Sequence, residues 1–182
     1  AWRRFGHDML LLTYGLSTGY YRDAPGDTYR DEWGITWKNT AYSTRFGDGF
    51  YTEMVGCPLA DDARIAGYRA PDPDRPELYA EPERMIRDFK SEYWIVGATV
   101  TTIFETAWAL RGYEQLLVDF VTDPDLADAV LDIPFRYHLR AAERLVGMGV
   151  DMIWIGDDVL SADSPDAVSS SRMRHRWTWI SS

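Results

Sequence analysis

Two adjacent carboxylates, Asp157 and Asp158, close the apolar run Val150-Asp151-Met152-Ile153-Trp154-Ile155-Gly156. Acid at the carboxyl end of a β-strand is placed where barrels of β/α units carry their chemistry, as a general base or a substrate anchor. Adjacent strand residues point to opposite faces, so at most one of the pair need face a ligand. Asp31, in Asp31-Glu32-Trp33-Gly34, could line the same pocket or simply order a turn. Phe104 and Trp108 share one helical face and could stack on a flat ligand or fill a core. Glu105 beside them could bind substrate, or pair with Arg111 or water.

The elements that must position these residues follow from periodicity. Met9 to Tyr14 is a short continuous apolar run and reads as a buried strand. Glu32 to Lys38 and Phe50 to Val55 alternate around the turn-rich Gly47-Asp48-Gly49, which predicts an antiparallel insertion near the N-terminus. Prolines 71, 73, 76 and 82 mark a surface connection. Pro82 suits the first turn of a short helix with Met85, Ile86 and Phe89 as its apolar stripe, ending near Glu92.

A strand over Tyr93 to Ala98 leads into two helical stretches interrupted at Gly112. The first carries Ile103, Phe104, Ala107 and Trp108, and the second Leu116, Leu117, Phe120 and Val121. Thr122-Asp123-Pro124 is a helix start, and helical spacing runs from Leu126 to Leu145 across Pro134, where a kink is expected. Strand, helical crossover and strand of parallel type predict an α/β architecture.

Composition narrows the function classes. At 182 residues and 46% hydrophobic, with 26 aromatic side chains, the chain has enough apolar material for a core. A net charge of -10 provides no basic face for nucleic acid. No run approaches the roughly 20 apolar residues of a membrane span, and the opening residues lack a signal-peptide pattern, so no membrane partner and a cytoplasmic location are expected. The single cysteine, Cys57, excludes an internal disulfide and reads as a small hydrophobe. His7 and His138 read as structural.

The segments Asp31-Glu32-Trp33-Gly34, Val96-Gly97-Ala98, Phe104 to Gly112, Asp123-Pro124 and Ile153 to Val159 together resemble the uroporphyrinogen decarboxylase superfamily, which includes the cobalamin and coenzyme M methyltransferases. The likeness covers roughly residues 5 to 159. It implies an α/β fold, a partial TIM (β/α)8 barrel, because such a barrel takes about 250 residues and only three barrel strands are countable here. The open barrel edge that results would favour self-association.

The decarboxylase branch, which serves porphyrin biosynthesis, uses no metal and grips its tetrapyrrole with an aspartate and N-terminal arginines. Here Arg3 and Arg4 stand in a different context, and Trp108 takes the place of that branch's tyrosine. The methyltransferase branch is similar through Asp-x-Trp-Gly and Gly-Asp-Asp-Val, and acts on a methyl-corrinoid with a zinc-bound thiolate. Its His-x-Cys and later Cys ligands have no counterpart among Cys57, His7, His138 and His175, so no cofactor or metal site is assigned to this chain and zinc is left to an intact relative.

The resemblance therefore implies a truncated enzyme whose intact form is a methyltransferase, with a decarboxylase or a non-catalytic barrel remnant as the alternatives. Implied site residues are Asp157, Asp158 and Asp31 for catalysis, and Trp108, Phe104 and Glu105 for substrate binding. Residues 160–182 form a separate expectation. From position 167 they hold three arginines, five serines and no acid, with neither helical nor strand period, as a shifted reading frame or a disordered tail would.

Overall fold

The structure is a computed structural model that describes residues 6–14, 26, 28–100 and 102–157. Three parallel strands form its first sheet: β1 (Met9–Thr13), β5 (Trp94–Val100) and β6 (Met152–Gly156), in the order β1-β5-β6. Between β1 and β5 the chain builds a second, antiparallel sheet from β2 (Thr28–Arg30), β3 (Thr36–Thr44) and β4 (Gly47–Gly56), followed by α1 (Ala80–Phe89). Helices α2 (Ile103–Arg111), α3 (Tyr113–Thr122) and α4 (Pro124–Met148) carry the chain from β5 to β6.

Alternation along β1 sorts its side chains. Leu10 and Leu12 turn to one face with Ile95, Ile153 and the α4 residues Tyr137, Ala141 and Leu145, which form a single core. Gly97 makes this close approach possible. A Cβ there would lie 3.1 Å from both Leu145 Cδ1 and Ile153 Cδ1. The opposite face carries Met9 and Leu11 of β1, Trp94 of β5, and Met152 and Trp154 of β6, all exposed. The pairings Met9 with Trp94, Val96 with Met152 and Ala98 with Trp154 put these residues on one side. The parallel sheet thus has helices on one face and, on the other, exposed apolar side chains around the buried Val96 and Ala98.

Several boundaries differ from the sequence reading. The antiparallel insertion is present, but its first long strand starts at Thr36, because residues 31–34 form a turn in which Gly34 N–H donates to Asp31 O. Its hairpin reverses at Arg45-Phe46 rather than across Gly47-Asp48-Gly49, with the Thr44 hydroxyl accepting from Phe46 N–H and donating to Gly47 O. α1 stops at Phe89, whose carbonyl accepts from both Glu92 and Tyr93 and turns the chain into β5. As expected, α4 is a single helix that runs across Pro134, which is buried. Val121 is exposed, since Leu116, Leu117 and Phe120 supply the packed face of α3. The expectation for residues 160–182 falls outside the described residues.

No described helix is long and apolar enough to cross a membrane.

Candidate functional site at the strand ends

The carboxyl ends of the parallel strands converge on the start of α2. The hydroxyl of Thr102, the residue before the helix, makes no cap, so the first amides of α2 need another acceptor. Asp157, just past β6, supplies it. One carboxylate oxygen accepts from Ile103 N–H at 2.8 Å and Phe104 N–H at 2.7 Å, and the other from Glu105 N–H at 3.0 Å. Three orphan donors and the positive end of a helix dipole are satisfied by one side chain from a different strand. The carboxylate aims its lone pairs at the helix, and its effect is to hold Phe104 and Glu105 at the strand ends.

Asp157, Phe104 and Glu105 are therefore brought together, with Trp108 one turn further along α2. Phe104 is buried and stacks on Phe120 with ring centroids 6.5 Å apart, so it fills core between α2 and α3. Trp108 is half-buried and meets Tyr113 edge-on at 5.9 Å. Asp31 belongs to the other sheet. Its two oxygens accept from Ile35 N–H at 2.9 Å and Trp37 Nε1–H at 2.8 Å, which orders the turn into β3. Asp158 lies outside the described residues.

The partner considered for Glu105 is taken elsewhere. The guanidinium of Arg111 forks onto Asp119 at 2.6 and 3.2 Å, donates to Leu59 O at 2.9 Å, and pairs with Asp62 at 2.6 Å. Arg111 and Asp119 are both buried, and Gln115 donates a further bond of 2.8 Å to Asp119. Burial pushes the Asp119 carboxyl up, but the hydrogen bonds from Arg111 and Gln115 outweigh it and hold the group below its ordinary value. This pair fastens the end of α2, α3 and the loop after β4. Its sequence signal was a lone basic residue eight positions before an acid across a glycine, too common a pattern to act on.

A second cluster also escaped the sequence reading. Tyr14, one residue past β1, has its hydroxyl 2.5 Å from Nδ1 of His138 on α4. Trp33 stacks near-parallel on the imidazole at 6.3 Å, and Tyr137 meets it edge-on at 5.2 Å. Burial lowers the His138 pKa to about 3 and raises that of the Tyr14 phenol, so both are neutral at physiological pH. His138 is thus a buried imidazole whose Nδ1 is bonded to Tyr14. Cys57 is half-buried, and desolvation raises its thiol. Among the described residues no group of three or more His, Cys, Asp or Glu could hold a metal ion.

No family model matches the chain, and no curated protein matches it. Among solved structures it is similar to a methyltransferase from Methanosarcina mazei, at 21% identity and a TM-score of 0.56, over 83% of this chain and 45% of that one. The chain thus spans about half the length of that protein. At this identity the likeness is one of fold.

Proposed function

We propose that this chain is one portion of a TIM-barrel methyltransferase of the uroporphyrinogen decarboxylase type, whose intact form moves a methyl group from a corrinoid to a thiol, and that the chain by itself is inactive. The observation that carries the reading is the set of exposed apolar side chains Met9, Leu11, Trp94, Met152 and Trp154, which surround Val96 and Ala98 on the sheet face opposite the helices. A parallel sheet is normally covered on both faces. A barrel meets that requirement by closing its sheet, so that the helix-free face becomes a packed interior. The likeness in fold to a methyltransferase supports the choice of branch.

In this reading the strand ends hold the chain's share of the site. Asp157 sets the first turn of α2 and thereby the placement of Glu105 and Trp108, the groups nearest the proposed substrate. Zinc does not fit the residues present. Cys57 faces Gly112 at the far end of α2, and His138 Nδ1 is committed to Tyr14. The metal's ligands therefore come from outside this chain's described residues, and no step is drawn through it.

The test is a chimera that joins residues 1–157 to the complementary portion of the Methanosarcina mazei methyltransferase. Methyl transfer from methylcobalamin to a small thiol is expected from the chimera and not from this chain alone. A folded chimera without methyl transfer overturns the proposal, and one that instead decarboxylates uroporphyrinogen moves the chain to the sister branch.

A further inference from the structure

The Tyr14 and His138 pair leaves one polar atom unexplained. His138 Nε2 is buried without a partner, and so is Thr102 Oγ1; among the described residues these are the two buried side-chain polar atoms in that state. They belong to different elements, α4 and the residue before α2, yet both residues line the same small cavity, whose remaining wall is largely apolar, with Ile103, Phe135, Leu139 and Ile155. Its volume is about 10 Å³. That is about one probe sphere, the lower bound for holding a water molecule, which needs two to four polar partners.

The direction of each bond follows from the imidazole tautomer. The Tyr14 phenol stays protonated, and its O–H needs an acceptor. The neighbouring His138 Nδ1, 2.5 Å away, is the acceptor in the tautomer on which the proposal rests. A neutral imidazole with Nδ1 accepting must carry its proton on Nε2, so the nitrogen without a partner is a donor. Thr102 Oγ1 is free to accept or donate, because Asp157 has taken the helix amides that a residue in its position would otherwise cap.

We propose that this cavity is a binding site for a single ordered water, which accepts from His138 Nε2–H and donates to Thr102 Oγ1. The water completes a polar chain from Tyr14 at the end of β1, through α4, to the first turn of α2. The water ties α4 to the start of α2 at the strand ends, where the placement of α2 matters most.

The experiment uses the full chain. A high-resolution map should show one solvent peak within hydrogen-bond distance of both atoms, and nitrogen-15 spectra of the imidazole should show the Nε2–H tautomer. Thr102→Ser should retain the water, whereas Thr102→Val should lose it and lower Tm by roughly 3–8 °C. A dry cavity, an Nδ1–H tautomer, or a Thr102→Val variant as stable as the parent overturns the proposal. Should Thr102→Val fail to fold, the tautomer and the solvent peak in the parent chain decide the matter.

Discussion

The carboxylate of Asp157 lies 2.7 Å from the backbone nitrogen of Phe104, across 53 positions of sequence. The end of one strand thus caps the helix that follows another, and the arrangement of the strand ends depends on that contact.

Asp157→Ala should leave three helix-terminal amides without an acceptor and destabilise the fold by about 2 kcal/mol, with Asp157→Asn costing less because one oxygen remains. Chemical denaturation reads this directly. An unchanged midpoint for the alanine variant would leave the residue free for a purely catalytic role.

Arg111→Met removes one half of a buried ion pair and strands the Asp119 carboxylate, at a cost of roughly 3–5 kcal/mol. The double variant Arg111→Met with Asp119→Leu should recover most of that loss, since an apolar pair of similar volume has no desolvation penalty. Thermal melts of the two single variants and the double variant form the cycle that checks it.

Stability should depend on pH through His138. Its folded pKa, about 3, lies below the ordinary value of 6.5, so the unfolded chain binds a proton that the folded chain refuses. Stability is therefore fully present above pH 6.5 and falls as pH drops towards 3, by at most about 1.4 kcal/mol per pH unit for one group. The lowered carboxyls of Asp74, Asp119 and Asp151 add their own loss below their ordinary 3.8. Between pH 6.5 and 4, His138→Phe should flatten the slope in a denaturation series.

The apolar face should make the isolated chain associate. Trp94 and Met9, 54% and 53% exposed, sit side by side on it. Sedimentation velocity should show concentration-dependent oligomers, and Trp94→Lys should shift the population towards monomer. A parent chain that stays monomeric at high concentration would contradict both this expectation and the proposed open barrel from which it follows.

Local pattern carried most of the element order into view. The alternating burial of β1, the apolar run of β6, and the Asp123-Pro124 start and long spacing of α4 are each set by neighbours a few residues apart, which a single sequence displays. Strand limits were less legible where a side chain intervened. Asp31 holds Ile35 N–H and so converts the expected opening of a strand into a turn.

The amino-acid sequence by itself determined the α/β character, the antiparallel insertion and the presence of acid at the end of a strand, because hydrophobic period and turn chemistry are local properties. Only the tertiary structure decided what those acids and polar groups do. Asp157 meets amides more than 50 residues away, His138 meets Tyr14 across 124, and Arg111 reaches back to Leu59. Pairings of that range depend on how strands and helices pack, and a buried donor takes whichever acceptor the packing leaves beside it.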